Sequence, residues 1–219
     1  GSSSGGGGGS GGKATIDLLG LWGISAEKDK GGAAGIKAHI GAAVADLNKA
    51  FTNSKINVTV KLVHAAKLNY DASGSVDSGL AHIKGNKTVN SLRDSKKADL
   101  ITFFIGGTPK GNGGGGIKAG VGHVMPSAKG AVGACLTVVH EKYALSHHVL
   151  AHEIGHNLGS GHYYSLKEGN CGLKYCYGNR WKSGEKGACS IMTYETSGYK
   201  VANYFSNPNV KNLDQPTGI

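Results

Sequence analysis

Apolar side chains recur along this chain in two kinds of pattern, and the first is typical of β-strands. Residues 56–63 alternate apolar and polar side chains, which predicts a strand with one exposed face. Residues 99–105 are apolar at nearly every position, which predicts a buried central strand. Shorter apolar runs at residues 15–22 and 135–140 predict two further strands. The chain is therefore expected to build a sheet with a buried middle.

The second pattern has the periodicity of an α-helix. Within residues 33–51 apolar side chains recur every three or four positions, which predicts a long amphipathic helix packed on the sheet. A second helix is predicted at residues 146–158, with Ser146 as its N-cap, and a short one near residues 89–93. An irregular C-terminal part follows. This order of elements predicts an α/β fold with a cleft between two unequal halves.

Two glycine-rich segments differ from the rest of the chain. Residues 1–12 are almost pure Gly and Ser and are interpreted as a flexible tail or linker. Residues 106–120 are interpreted as a surface loop, because no Gly-Lys-Ser/Thr sequence follows to make a phosphate-binding loop. Residues 13–219 are long enough for one domain with a sizeable core. We expect this domain to divide into residues 13–161 and 162–219 on either side of the cleft.

The charge is strongly positive, with 24 Lys and Arg against 14 Asp and Glu and a formal charge of +10. Nearly all of it is lysine scattered along the chain, which indicates a solvated basic surface and argues against a nucleic-acid groove. Such a surface would attract anionic cell surfaces or acidic substrates. The sequence shows no apolar run of membrane length and no signal peptide, so we expect a mature or recombinant form from which any leading segment has been removed. We also expect the protein to be secreted and monomeric.

The cysteines are even in number and lie around one region of the sequence: Cys135, Cys171, Cys176 and Cys189. Cys171 and Cys176 have no companion pair with structural-zinc spacing, so two disulfides formed in an oxidising compartment are the favoured use. Three pairings are possible. We favour Cys171 with Cys176 and Cys135 with Cys189.

The most informative segment begins at His152 and reads H-E-I-G-H-N-L-G-S-G-H. It fits the pattern H-E-x-x-H-x-x-G-x-x-H at each specified position. On a helix His152 and His156 lie one turn apart on the same face, so both imidazoles can bind one ion. Gly159 can adopt a left-handed conformation that turns the chain back and makes His162 the third ligand. Glu153, about 100° round the helix from His152, can act on a water at the metal without being a ligand.

A second motif lies about thirty residues further on. The sequence C-S-I-M-T-Y at residues 189–194 resembles the Met-turn that lies beneath the zinc in metzincin peptidases. Met192 is one of only two methionines, and the preceding helix motif favours a Met-turn over ordinary core packing. Tyr194 resembles the tyrosine of astacins and serralysins, whose phenol lies at or near the zinc. The alternative for Tyr194 is an ordinary half-buried tyrosine.

The two motifs and the order of elements resemble those of the metzincins. A narrower likeness runs through residues 13–219 and is similar to secreted bacterial reprolysin-like metallopeptidases, the group that includes the peptidyl-Asp metallopeptidases. The segments that carry it are INVTVKLVHAAKLNYDASGS, SLRDSKKADLITFFIGG, AHEIGHNLG and YFSNPNVKNLDQPTG. The resemblance implies a twisted five-stranded mixed sheet, a long backing helix, an active-site helix and a smaller irregular C-terminal subdomain. It also implies one catalytic zinc ion and a peptide bound antiparallel to the edge strand, expected at residues 135–140.

The chain departs from the reprolysin pattern in two places. Relatives commonly place Asp directly after the third histidine, where this chain has Tyr163. The link between His162 and the Met-turn is therefore not specified by the sequence. Relatives also often have a further helix after the position of YFSNPNV, so the far wall of the cleft is expected to be short.

The motif and the resemblance together predict a secreted zinc endopeptidase that acts on proteins or peptides. Zinc would lower the pKa of a water molecule, Glu153 would act as general base towards that zinc-activated water, and Tyr194 would help to stabilise the oxyanion. Two alternatives share the motif: a zinc amidase acting on cell-wall peptides, and a binding or toxin module with weak protease activity. The intact Glu153 argues against the second alternative, because a lapsed enzyme has no chemical need for that carboxylate.

Substrate specificity is expected to depend on the segment after Met192. The resemblance places this segment beside the pocket for the residue that follows the scissile bond. A preference for Asp there, as in the peptidyl-Asp relatives, requires a cation that offsets the desolvation of the carboxylate. Lys200 and Arg180 are the candidates, and Arg is the better bidentate partner. The alternative for each is a solvated surface charge beside a pocket for bulky apolar side chains.

Overall fold

The computed structural model describes residues 12–111, 116–125, 135–163 and 176–219. The strands are β1 (Ala14–Trp22), β2 (Val58–Lys67), β3 (Leu100–Ile105), β4 (Gly120–Gly122), β5 (Leu136–His140), β6 (Arg180–Ser183), β7 (Lys186–Cys189), β8 (Lys200–Val201), β9 (Lys211–Asn212) and β10 (Gln215–Pro216). The helices are α1 (Ile24–Asp29), α2 (Ala33–Asn53), α3 (Val76–Ile83), α4 (Lys87–Lys96), α5 (Glu141–Ala144) and α6 (Val149–Asn157). The predicted strands β1, β3 and β5 and the predicted helix α2 lie within a few residues of their expected bounds.

A five-stranded sheet with the order β2-β1-β3-β5-β4 forms the centre of the molecule. β1 pairs in parallel with β2 and β3, and β3 pairs in parallel with β5. β4 pairs antiparallel with β5, with Val121 opposite Val138, so the sheet is mixed. The edge strand expected at residues 135–140 is wrong, because β5 has a neighbour on each side and is buried along its whole length. The edge strand on this side is β4.

Helices cover both faces of the sheet. Helix α2 packs its apolar stripe on one face, where Ile40 belongs to the same buried cluster as Leu18 and Phe104. Helices α3 and α4 cover the other face, where Val89 shares a cluster with Phe103. Full burial of a Leu or Phe side chain stabilises the fold by roughly 1.5–3 kcal/mol. Since β3 carries apolar side chains towards both layers, it is buried at every residue, as its sequence predicts.

Helix α6 begins later than the helix predicted at residues 146–158. Its first residue is Val149, and its N-cap is His148, whose backbone is left-handed with φ of 53°. A residue in that conformation interrupts a right-handed helix. Ser146 is therefore not the N-cap, and its hydroxyl donates instead to Lys142 O at 3.0 Å.

The polar stretch before β3 contains two helices where the sequence predicts only one, near residues 89–93. Helix α3 is capped by the Ser75 side chain, which accepts from Ser78 N. Helix α4 is capped by the Asn86 side chain, which accepts from Thr88 N and Val89 N. Both helices are short and bury few residues, so their apolar period is weak in the sequence.

The chain from residue 176 onward forms a smaller, irregular part beside the end of α2. It contains a three-stranded sheet, β6-β7-β8, and the pair β9 and β10. Phe205 stacks on Phe51 with ring centroids 5.3 Å apart, and the Asn53 amide donates to Asn203 O at 2.9 Å. These contacts join the smaller part to the main one. The division at residue 161 and the flexible tail, which falls almost entirely on residues 1–11 outside the described ranges, stay predictions.

The predicted disulfide between Cys135 and Cys189 is wrong, since neither cysteine is part of a disulfide. Cys135 precedes β5, with its Sγ 4.0 Å from Arg93 Nη1. Cys189 ends β7 in the smaller part of the fold, where burial raises the pKa of its thiol to about 11. An even number of cysteines does not reveal that two of them belong to different parts of the fold. Cys171 lies outside the described residues, so its pairing with Cys176 stays a prediction.

The helices also bear on the expectation that the chain spans no membrane. Over the described ranges, no helix combines the length and the apolar character needed to cross a bilayer.

Candidate metal centre

Three histidines bring their Nε2 atoms together at the bottom of the cleft. The Nε2 atoms of His152 and His156 lie 3.2 and 3.0 Å from Nε2 of His162. A tetrahedral zinc ion with Zn–N bonds of about 2.0–2.1 Å holds its ligands roughly 3.3–3.4 Å apart. The spacing of the nitrogen atoms is therefore close to that which a bound metal ion requires, and the three side chains could hold one.

The second ring nitrogen of two of these histidines is held by a backbone carbonyl. Nδ1 of His152 lies 2.8 Å from Ile191 O, and Nδ1 of His156 lies 2.7 Å from Ser160 O. A carbonyl oxygen only accepts, so each Nδ1 carries the proton and each Nε2 presents a lone pair to the cluster. Such partners fix the tautomer and orientation of metal-binding histidines. The sequence predicts that they exist without naming them.

A left-handed glycine turns the chain so that the third histidine reaches the cluster. Gly159 follows the end of α6 with φ of 94°, and its N–H donates to His156 O. The turn predicted at Gly159 is thus confirmed. His162 is then tied to the smaller part of the fold, because Gly178 N donates to its backbone oxygen at 3.1 Å.

Burial keeps the three imidazoles neutral. Desolvation is the largest cause that lowers the pKa of His152 to about 3 and that of His156 to about 4. Desolvation also lowers the pKa of His162. The hydrogen bonds to backbone carbonyls act in the opposite direction for His152 and His156, with a smaller effect. Since the neutral imidazole is the form that binds a metal, the site is prepared for one without having to lose protons.

Glu153 lies beneath the edge strand β4 and is only 6% exposed. Its carboxylate accepts a hydrogen bond from Gly122 N. A Cβ atom on Gly120 would lie 2.5 Å from Glu153 Oε1, and one on Gly122 would lie 2.6 Å from Glu153 O. The two glycines therefore allow β4 to contact this residue. Burial is the largest cause that raises the pKa of Glu153 to about 8, against the lowering effects of Lys118 and the Gly122 hydrogen bond.

Met192 packs directly against α6 and is 2% exposed. A Cβ atom on Gly155 would lie 2.4 Å from Met192 Sδ, so the absence of a side chain there makes room for the sulfur. The preceding residue, Ile191, supplies the carbonyl that binds His152. This segment therefore supports a histidine of the cluster, in the place where the sequence predicts a Met-turn.

Tyr194 reaches the same cluster from the side. Its hydroxyl oxygen lies 2.9 Å from His162 Nε2, and its ring centroid lies 4.8 Å from that of His162. The side chain is 49% exposed and lines the cleft. Tyr194 thus contacts the histidine cluster and lines the cleft.

The histidine cluster lies in a cleft with a volume of about 1240 Å³. This volume exceeds the roughly 300–1,000 Å³ that is typical of small-molecule pockets, so it suits an extended chain better than a compact ligand. One side of the cleft, here called the strand wall, consists of residues 116–122. The opposite side, here called the helix wall, consists of α6 and residues 191–195.

The two cations predicted to bind substrate have different environments. Lys200 lines the cleft, but its side chain is 86% exposed and its Nζ lies 3.7 Å from Glu195 Oε2. Arg180 lies behind the helix wall, where its Nη2 donates to Tyr194 O at 3.1 Å. The Arg180 guanidinium carbon lies 4.4 Å from the ring centroid of Tyr163, the residue after His162. The structure thus places Lys200 on the rim of the cleft and Arg180 within its wall.

Sequence reasoning misses two features of this site. The first is the pair Gly120 and Gly122, whose only signal is a Gly-x-Gly sequence at the end of a glycine-rich stretch. The second is the pair Asp46 and His148, in which His148 Nδ1 lies 2.6 Å from Asp46 Oδ2 and the imidazole lines the cleft. Nothing in the sequence connects two residues so far apart.

Comparison with known proteins gives the family. The mixed five-stranded sheet and its covering helices confirm the metzincin fold that the sequence predicts. A family model described as "Metallo-peptidase family M12B Reprolysin-like" matches residues 23–218. The chain belongs to this reprolysin-like metallopeptidase family.

Several curated relatives are peptidyl-Asp metalloendopeptidases. That of Stenotrophomonas maltophilia strain R551-3 is 27% identical over 185 residues, which cover 81% of this chain and 42% of the relative. That of Xanthomonas campestris pv. campestris is 25% identical over 186 residues, covering 80% and 40%. That of Pseudomonas aeruginosa is 26% identical over 222 residues, covering 93% and 37%. The chain therefore spans less than half the length of these relatives.

A solved structure described as "Structure of a chaperone-substrate complex" contains a chain with a similar fold. Its TM-score is 0.69 at 17% sequence identity, over 94% of this chain and 31% of the other. At this identity the likeness supports the fold alone.

Proposed function

We propose that this chain is the catalytic part of a secreted zinc-dependent endopeptidase. One zinc ion would be held by His152, His156 and His162. The observation that carries the proposal is the cluster of three Nε2 atoms beside the buried carboxyl group of Glu153. Structural zinc sites are closed by four protein ligands, whereas catalytic sites leave one position open. This cluster contains three such ligands within the described residues and faces the cleft.

Zinc suits the three imidazoles, because they are neutral nitrogen ligands at nearly tetrahedral spacing, and backbone carbonyls fix the tautomers of His152 and His156. When bound, zinc supplies Lewis-acid chemistry, polarising a carbonyl group and making a water molecule acidic near neutral pH. The chain itself supplies the proton acceptor, the support for the substrate and the exclusion of bulk water.

Glu153 is proposed as the general base. Its carboxyl group adjoins His152 in sequence, lines the cleft and is held in place by Gly122 N. Its pKa of about 8, raised by burial, would fall next to a metal cation, towards the neutral range in which a general base is most effective. Glu153 would take a proton from the attacking water and then pass it to the leaving amine.

The strand wall is proposed to align the substrate. Strand β4 pairs with β5 on one side, and no other strand of the described residues pairs with it on the outer side. Its outer N–H and C=O groups can therefore bind an extended peptide in antiparallel register. Across the cleft, the Tyr194 hydroxyl would donate a hydrogen bond to the negative charge that develops on the scissile carbonyl.

Several properties of the whole protein belong to the same proposal. We propose that its substrates are proteins or peptides, that it acts outside the cell as a monomer, and that its positive charge attracts it to anionic cell surfaces. The pairing of Cys171 with Cys176 would suit that location. The names of the relatives suggest that the bond cleaved lies next to an acidic residue.

The decisive experiment combines metal analysis with replacement of the base. Purified protein should contain one zinc per chain and digest casein, and removal of the zinc by a chelator should abolish the activity. Glu153→Gln should keep the zinc and the fold while turnover falls by about 10²-fold or more, because only the proton acceptor is lost. Casein cleavage by Glu153→Gln at a near wild-type rate would falsify the assigned role.

The choice of substrate distinguishes the alternative function, a cell-wall amidase, from the proposed endopeptidase. Clearing of a cell-wall suspension without digestion of casein would favour that alternative. Digestion of casein without clearing supports the endopeptidase.

A further inference from the structure

We infer that Arg180 recognises a side-chain carboxylate in a residue that flanks the scissile bond. The inference rests on the proposed endopeptidase function and names the residue that would select the substrate. Three observations support it: the way the guanidinium is held, its connection to the histidine cluster, and a buried N–H group for which the described residues provide no acceptor.

The guanidinium of Arg180 is held by contacts on several sides. Its central carbon lies 4.4 Å from the ring centroid of Tyr163 and 5.6 Å from that of Tyr199. Its Nη2 donates to Tyr194 O at 3.1 Å. A planar cation packed against two rings and bonded to a carbonyl keeps one orientation, so little side-chain freedom remains to be lost when a ligand binds.

Two of these contacts lead directly to the histidine cluster. Tyr163 is the residue after His162 in the sequence. Tyr194 binds Arg180 through its carbonyl oxygen and places its hydroxyl 2.9 Å from His162 Nε2. A single residue, Tyr194, thus connects the guanidinium to the histidine cluster. A short acidic side chain next to the cleaved bond could therefore approach the guanidinium.

The third observation concerns the Nε atom of Arg180. Its buried Nε has no hydrogen-bond partner among the residues that the structure describes. A buried N–H without an acceptor is unfavourable, and a carboxylate matches the fork geometry of a guanidinium. Glu195, an acidic residue in the helix wall, is already engaged, because its Oε1 accepts from Val201 N at 3.1 Å and its Oε2 lies 3.7 Å from Lys200 Nζ.

The lysines around the cleft are less suited to this role. Lys118 forms an ion pair with Asp77 at 2.6 Å. Lys200 is exposed on the rim, and Lys182 packs its Nζ 5.1 Å from the Tyr199 ring from an exposed position. An exposed ammonium group is strongly hydrated and offers no bidentate geometry. Lys182 therefore provides a matched control, since it contacts the same ring as Arg180.

The first test measures cleavage of two peptides that differ only in Asp or Asn at one position flanking the cleaved bond, for each flank in turn. The zinc-loaded wild type should favour the Asp peptide in kcat/KM by about 10- to 100-fold, the range expected of a charge-assisted hydrogen bond. Arg180→Met should bring the ratio close to one, and Arg180→Lys should leave an intermediate ratio. Lys182→Met and Lys200→Met should retain the wild-type ratio. Because the readout is a ratio, a general loss of activity in one variant does not affect it.

The second test needs no cleavage. Zinc-loaded Glu153→Gln should bind the Asp peptide about 10- to 100-fold more tightly than the Asn peptide, and adding Arg180→Met should remove the difference. Thermal melting of each variant identifies any that fail to fold, and Arg180→Lys serves in place of a misfolded Arg180→Met. Equal binding of the two peptides, or a preference lost in Lys200→Met and kept in Arg180→Met, overturns the role of Arg180. Selective binding without any cleavage by the wild type contradicts the endopeptidase proposal alone.

Discussion

The two walls of the cleft position their functional groups in opposite ways. In the helix wall side chains form the candidate metal site: His152 and His156 lie one turn apart on α6, and the turn at Gly159 brings His162 to them. In the strand wall the side chains are missing where the contact is closest, because β4 passes over Glu153 with Gly120 and Gly122. The helix wall depends on the side chains that it carries, and the strand wall depends on the absence of side chains at Gly120 and Gly122. A motif therefore identifies the first wall and overlooks the second.

The largest expected loss of activity and of bound metal comes from substitutions in the helix wall. His152→Ala, His156→Ala and His162→Ala should each lose the bound zinc and nearly all activity, because each removes one of the three nitrogen atoms of the cluster. The loss of zinc affinity should exceed the 10- to 100-fold that removal of a ligand's hydrogen-bond partner typically costs. Metal content after dialysis is the measurement, with the exposed His147→Ala as control. Stoichiometric zinc in any of the three variants would remove that residue from the set of ligands.

The next effect is expected at Tyr194. Replacing it with Phe removes the hydroxyl that lies 2.9 Å from His162 Nε2 and leaves the ring in place. If the hydroxyl binds the transition state better than the ground state, kcat should fall by about 10- to 100-fold with little change in KM. Steady-state kinetics on one peptide tests this. A higher KM with unchanged kcat would make Tyr194 a substrate-binding residue only.

The strand wall should respond to the addition of a single methyl group. In Gly120→Ala the new Cβ would lie 2.5 Å from Glu153 Oε1, so the strand or the carboxylate has to move. We expect about a tenfold loss of kcat with the zinc retained, since a misplaced base is less effective. Gly41→Ala in α2 is the matched control, because a Cβ there meets no atom within 4 Å and alanine favours a helix by up to about 1 kcal/mol. Equal activity of both variants would show that the close approach of β4 is not needed.

The smallest effect concerns the stability of the metal-free protein as a function of pH. The pKa of Glu153 rises on folding from 4.5 to about 8, so its contribution to stability is complete below about pH 4.5 and is lost as the pH rises through 8. The pKa values of His152 and His156 fall from 6.5 to about 3 and about 4, so their contribution is present above pH 6.5 and is lost as the pH falls. From these groups alone, stability should peak near pH 6.5.

Denaturant unfolding of chelator-treated protein between pH 5 and pH 8 measures this dependence. Glu153→Gln should remove the decrease above pH 6.5, a difference on the order of 2 kcal/mol by pH 8. Parallel curves for the wild type and the variant would contradict the burial of an ionisable carboxyl group at this position.

The difference between the two walls of the cleft also explains how much of the molecule the sequence predicts. Helix α2 and strand β3 are recognised because long apolar patterns reflect the layers in which they are buried. The histidines of α6 are recognised because helical geometry follows directly from their spacing. Strand β4 has three residues, two of them glycine, and no apolar pattern, so its place at the edge of the sheet depends on pairing with β5.

Contacts that depend on the tertiary fold are also missing from the prediction. The carbonyls of Ile191 and Ser160 act through backbone atoms, whose positions no side chain reveals. The left-handed His148 and its partner Asp46, more than a hundred residues apart, are brought together by the packing of α2 on α6. The mistaken Cys135–Cys189 pairing has the same origin, since only the fold separates the two cysteines.

The attachment of His162 to the last part of the chain has a consequence for synthesis on the ribosome. His152 and His156 lie on one short helix, but the backbone of His162 is held by Gly178, and the ring of His152 is held by Ile191. A growing chain that ends before these residues has all three histidines but lacks the groups that orient two of them. The three imidazoles therefore reach their final arrangement only after the smaller part of the fold has emerged from the ribosome.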